Sequence, residues 1–222
     1  MTLTSVPDPS DRSTGGAAAR RTDGPPPRER ILAAALTAFS SVGFEGASTR
    51  QIARDAQVTH QLVGHYFATK KALWEAVVTG AFEPSGMVIR ARFDGLRGVD
   101  NRTIAKLVMK EFVINSAQHP ELNRIVLQEA KSGGDRLRWL VDNHGNSFRD
   151  LIIQLLEPLG VRPGGPELAG AYYALVGAGA TIFSAAQECQ LLFDLDPFEQ
   201  DFVEAHAERV AEMVIASIER RQ

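Results

Sequence analysis

The stretch from Ser48 to Lys71, STRQIARDAQVTHQLVGHYFATKK, restricts the fold more than any other part of this chain. Ser48 with Gln51 three residues on has the spacing of a capping box, which predicts a helix starting there. Ile52, Ala53 and Ala56 give that helix one apolar stripe. Gln57 and Val58 leave room only for a turn. Thr59 supplies the cap of a second helix, with Leu62, Val63 and Tyr66 on one side. Helices this short bury little surface alone. Joined by so tight a turn, they form the arrangement that presents its second helix to a DNA groove.

The polar residues give the pair a direction. Thr59, His60, Gln61 and His65 fall at the start or on the outer side of the second helix, as candidate readers of base edges or phosphates. Gly64 leaves a flat outer spot for close backbone approach. Ser48, Tyr66 and Lys70 are candidate phosphate contacts, and Thr49 and Arg50 complete the candidate DNA-binding set. Thr69-Lys70-Lys71 opens a further helix. Two lysines in a first turn oppose the helix dipole. A phosphate at that helix end accounts for them, and plain solvation is the competing account.

These residues carry a family resemblance. The run from Ile31 to Val78 resembles the DNA-binding domain of the TetR family of transcriptional repressors, through ILAAALTAF (31–39), GFEGAS (43–48), IARDAQVT (52–59), LVGHYF (62–67) and KKAL (70–73). The chain departs from the family pattern at Gln57, where a glycine is usual, at Gln61, where a small residue is usual, and at Gly64, often a tyrosine. Gln57 leaves the turn without its customary residue for positive φ. The resemblance implies an all-α protein: an N-terminal three-helix helix-turn-helix domain and a larger C-terminal helical domain for ligand binding and dimerisation.

Charge agrees with that division. The net charge of −3 hides four basic residues against one acid between Ser48 and Lys71, and 15 basic against 19 acidic residues from Pro84 onward. A basic face on an acidic body suits a polyanion met at one end. The single cysteine, Cys189, rules out an intrachain disulfide and a cysteine-based zinc set. No apolar run reaches a membrane span, and Met1-Thr2-Leu3-Thr4-Ser5 lacks the order of a secretion signal, so the expected location is cytoplasmic.

Three segments are expected. Residues 1–26 are rich in Pro, Gly, Ser and Thr and are read as a disordered tail, with Arg20 and Arg21 as a candidate minor-groove arm. Residues 27–84 form the DNA-binding domain, with the motif at 48–67. Its first helix carries Ile31, Leu32, Ala35, Leu36 and Phe39 inward and ends at Gly43. Phe44 and Phe67 are assigned to the same small core. The fourth helix starts near Lys70 and kinks or ends at Pro84-Ser85-Gly86, before a separate helix from Met87 to Leu96. Residues 85–222 form the body: helices over Arg102–Gln118, Pro120–Lys131, Asp135–Leu159, Pro166–Phe193 and Pro197–Arg221.

The penultimate helix is apolar nearly all round, so it must be covered on most sides. Gly177 and Gly179 permit close helix approach. Phe202, Val203, Val210, Met213, Val214 and Ile218 add a stripe on the last helix. Together they predict a homodimer through these two helices, as the resemblance also implies. No G-x-S-x-G, phosphate-binding glycine loop or H-E-x-x-H occurs, and the five histidines lack ligand spacing, so no enzyme, cofactor or metal is expected. Met109, Phe112, Glu129, Trp139, Asn143, His144, Phe148, Tyr173 and Phe183 are candidates to line a pocket for a small apolar or amphipathic effector. The expected function is a repressor released from a palindromic double-stranded operator by that effector. The alternatives are an effector-independent DNA-binding dimer and an all-helical enzyme or carrier.

Overall fold

A computed structural model describes residues 24–96 and 98–220. Residues 1–23, with the candidate arm at Arg20 and Arg21, lie outside the described residues, as do Arg97, Arg221 and Gln222. Among the described residues the regular structure is helical throughout. The first helix, α1 (Pro27–Gly46), begins on Pro27, whose missing N–H loses nothing in a first turn. It breaks at Gly43, where φ of +73° leaves helical space as expected of a glycine stop. Next come α2 (Thr49–Asp55), α3 (His60–Tyr66) and α4 (Lys70–Asp94). The body comprises α5 (Asn101–Gln118), α6 (Pro120–Ser132), α7 (Gly134–Leu140), a π turn (Val141–Gly145), α8 (Asn146–Leu156), α9 (Pro166–Ser184), α10 (Ala186–Phe193) and α11 (Gln200–Glu219).

Four local expectations are corrected. Ser48 stands at the N-cap of α2 but makes no capping hydrogen bond. Gln51 turns along the helix instead, donating to Asp55 at 2.7 Å and accepting from Arg54 Nε at 3.1 Å. The fourth helix neither ends nor splits at Pro84. It is one helix to Asp94, because Leu73, Trp74, Val77 and Val78 pack in one core and Ile89 in the other, which anchors the helix on both sides of the proline. The single helix expected over Asp135–Leu159 contains the π turn, where Asn143 Nδ2 donates to the Trp139 carbonyl at 2.7 Å. The long penultimate helix is two helices bent by 74° at Ala185. Side chains of α6 take up the polar groups at the end of α9. Asn123 bonds Ser184 Oγ at 2.8 Å and Arg124 bonds the Ser184 carbonyl at 3.1 Å. No single helix among the described residues is long and apolar enough to cross a membrane.

Two apolar cores result, and their boundary differs from the expected one at 84/85. The first gathers Ile31, Ala35, Phe39, Ile52, Val63, Phe67, Leu73 and Trp74 with Ile125 and Leu140 from α6 and α7. The DNA-binding domain therefore shares its core with part of the body. The second lies among α5, α8, α9 and α11. There Val203, Val210, Val214 and Ile218 are buried within the chain, so most of the α11 stripe assigned to a partner covers this chain's own core. Arg102, Lys106 and Lys110 of α5 pair with Glu208, Glu212 and Glu219 along the same seam. Gly179 is also used internally, since a Cβ there would sit 3.0 Å from Val113 and 3.3 Å from Phe112.

Candidate nucleic-acid interface

The site is built by α2, its turn and α3. Ala53 and Ile52 anchor α2 in the core, and the Val58 N–H donates back to the Ala53 carbonyl at 2.9 Å. Gln57 takes φ of +54°, so the turn reaches the left-handed region without a glycine. The Leu62 N–H donates to Thr59 Oγ1 at 3.3 Å, which starts α3 as expected. Val63 and Phe67 hold α3 against the core. Its other side carries His60, Gln61, Gly64, His65 and Tyr66, all exposed. Tyr66 is 40% exposed, which corrects its placement on the apolar side with Val63. Its ring lies edge-on to His65 at 5.5 Å. A Cβ on Gly64 would meet nothing within 4 Å, so the flat spot is open.

Ser48, Arg50 and Thr59 are exposed beside α3, and Thr49 is half-buried. Thr49 Oγ1 lies 3.1 Å from His60 Nε2, tying the start of α2 to the start of α3. Either ring nitrogen of His60 carries the proton in one tautomer, so the bond fixes the ring and leaves Nδ1 for an outside partner. Eight of the ten expected residues are thus exposed along α2, the turn and α3, while Thr49 and Lys70 are half-buried. Lys70 differs from its expected setting. Its Nζ donates to the Glu45 carbonyl at 3.4 Å and stands 4.6 Å from the Phe44 ring centroid. The first-turn lysine is therefore accommodated within the chain, while Lys71 pairs with Glu75 at 3.6 Å.

The nine pocket candidates are divided between the two cores and the surface. Met109 and Phe183 are fully buried core, and Phe112 stacks on Phe148 at 5.1 Å. Tyr173 is 71% exposed, and Asn143 is spent on the Trp139 carbonyl. Trp139 packs edge-on to Trp74 at 5.4 Å in the first core. His144 stacks on Phe82 at 5.2 Å, and its Nε2 is buried without a hydrogen-bond partner among the described residues. Burial pushes its pKa below the usual histidine value. Glu129, 3% exposed, is paired with Arg136 at 3.1 Å. Two open clefts lie elsewhere among the described residues. One of about 550 Å³ lies between α9, α10 and α11 around Ala178, Ile182, Cys189 and Phe202. The other, about 240 Å³, lies around Arg92, Lys110 and Glu204. None of the nine lines either cleft.

Sequence reasoning missed Arg136 and Gln128. Gln128 Nε2 donates to the Ser40 carbonyl at 3.0 Å, and the Arg136 guanidinium covers Phe44 at 4.0 Å. Both reach from the body to α1, and no local spacing announces such a contact.

An exposed helix-turn-helix on a helical body defines the class of this protein. Residues 31–77 match the family model described as bacterial regulatory proteins, tetR family, so this part of the chain is a TetR-type helix-turn-helix domain. It is 29% identical over 115 residues to the HTH-type transcriptional regulator BetI of Serratia proteamaculans, a match covering 44% of this chain and 58% of that protein. It is 35% identical over 65 residues to BetI of Pectobacterium carotovorum, covering 29% and 33%. The chain thus aligns with between a third and three fifths of the length of these relatives. A bacterial regulatory protein of the tetR family from Rhodococcus RHA1 shares the fold, with a TM-score of 0.68 over 88% of this chain and 98% of that one at 16% identity.

Proposed function

We propose that this protein is a DNA-binding transcriptional regulator that acts as a homodimer on a palindromic operator, and that it represses until an effector releases it. The observation that carries this reading is the outward set on α3. His60, Gln61, His65 and Tyr66 are exposed together on a helix whose opposite side is locked by Val63. Exposed polar side chains on a rigid, capped helix are the means of reading base edges. Two such helices, one per protomer, meet successive major grooves about 34 Å apart.

Release by an effector requires two states of the body. The reciprocity of binding then makes effector weaken DNA as much as DNA weakens effector. One observation favours the effector-independent alternative: the expected pocket residues pack on one another or lie at the surface. Under that reading the body serves pairing alone. The test is enrichment of duplexes from fragments of the source genome. Salt-sensitive retention of an inverted repeat is the expected result. Absent or salt-insensitive binding overturns the proposal. Addition of small apolar and amphipathic compounds to the retained complex then separates the two readings, since release by any of them rejects the effector-independent one.

A further inference from the structure

The corner that follows the Gly43 break is held from both ends of the molecule. On the body side, Arg136 Nε donates to both carboxylate oxygens of Glu129 at 3.1 Å. The same guanidinium donates to Glu45 Oε1 at 3.2 Å and lies 4.0 Å from the Phe44 ring centroid. On the DNA side, Lys70 Nζ stands 4.6 Å from that ring and donates to the Glu45 carbonyl at 3.4 Å. Lys70 is the first residue of α4, and α3 ends at Tyr66 just before it. A continuous path of contacts therefore runs from Glu129 on α6 through Arg136, Phe44 and Glu45 to Lys70 at the start of α4, four residues beyond the end of the reading helix.

The chemistry of the path is directional. Glu129 is 3% exposed and both its carboxylate oxygens accept from Arg136 Nε, so it fixes the Arg136 side chain. A guanidinium is a planar fork that bonds and stacks in one orientation, which an ammonium does not reproduce. Gln128, next to Glu129, secures the preceding turn through the Ser40 carbonyl.

We propose that Arg136 is a positioning residue for DNA reading. It clamps the Phe44–Glu45 corner to α6, sets the angle of α3 against the body, and so sets the half-site spacing that the paired protein accepts. This rests on the DNA-binding reading above.

The test uses the full chain. Arg136→Met is combined with Glu129→Gln so that no unpaired charge stays buried, and Arg136→Lys is made separately. Thermal unfolding and sedimentation establish that each variant is folded and paired as the unaltered protein is. The probes are the duplex most enriched by the unaltered protein from a randomised pool, and the same duplex with one base pair added or removed at its centre. The double variant is expected to bind the enriched duplex about tenfold more weakly. It is also expected to lose most of the penalty for altered spacing, with Arg136→Lys between the two. Equal weakening on all spacings marks a merely structural role and overturns the proposal, as does unaltered binding. Should the double variant unfold, Arg136→Lys carries the comparison, since it keeps the charge and loses the fork. Enrichment of no duplex by the unaltered protein overturns the DNA-binding reading and this role together. Enrichment with unchanged spacing discrimination in the variants overturns this role alone.

Discussion

Gln57 occupies the left-handed region at the centre of the site, φ +54°. A side chain there costs about 1 kcal/mol, partly offset by the greater freedom glycine has in the unfolded chain. Gln57→Gly is therefore expected to raise stability by about 0.5 kcal/mol in urea unfolding, and a loss of stability would show that Gln57 makes a compensating contact. Lys70→Ala is expected to weaken binding to all duplexes alike and to reduce the salt slope by about one, as for a single phosphate contact. An unchanged slope would assign Lys70 wholly to Phe44 and Glu45. His144 sets an acid-side limit. Burial lowers its pKa, while Glu83 pulls the other way. The folded form therefore binds fewer protons than the unfolded one near pH 6, so its stability is complete above the usual histidine range and is lost as pH falls through it. His206 has the same sign, again chiefly from burial. His144→Phe is expected to flatten the dependence of stability on pH between about 5 and 7, followed by thermal unfolding, with His206 supplying what remains. The Thr59 cap was legible because it is made within three residues. The partner of Glu129 was not, since Gly133 and Gly134, at φ +67° and +82°, turn the chain between Glu129 and Arg136.

Elements show the same division between local and distant causes. Helices α1, α2, α3, α5 and α6 were legible to within a residue or two at their starts, because their caps, prolines and stripes act locally. Pro84 was read as a stop because proline removes one hydrogen bond and crowds the carbonyl four residues back. In α4 the packing of Trp74 and Val78 on one side and Ile89 on the other outweighs that loss. The bend at Ala185 went unread for the opposite reason. No glycine or proline marks it, and the polar groups at the end of α9 are met by Asn123 and Arg124 on α6, far away in sequence. Pro84 is exposed and its neighbours are helical, so Pro84→Ala restores the N–H with no repacking. It is expected to raise stability by about 1–3 kcal/mol in chemical denaturation. The restored N–H also completes the hydrogen bonding of α4 where it runs from one core to the other. If DNA affinity changes while α3 is untouched, this stretch of α4 couples the body to the DNA-binding domain.

For the whole molecule, the question is what covers α9. The chain covers part of it: Leu175, Gly179, Ala180 and Phe183 are buried against its own helices. The remaining side presents Tyr173, Gly177 and Thr181, with Leu191, Leu192 and Phe193 exposed beyond the bend. Of the two glycines read from sequence as a pairing surface, one serves α5 inside the chain and only Gly177 faces outward. That makes Gly177 a clean probe. A Cβ there meets nothing within 4 Å, and glutamate favours the helix over glycine by up to about 1 kcal/mol, so Gly177→Glu should leave the folded protomer as stable or more so. On a paired α9, however, it would bury a carboxylate where helices approach closely, and a lone buried charge costs several kcal/mol. The expected outcome is a folded monomer in sedimentation that has lost tight binding to an inverted repeat but keeps weak binding to a half-site. A Gly177→Glu protein that still sediments as a dimer would move the interface away from this side of α9, and the spacing of the two reading helices would then have to be rebuilt on another surface.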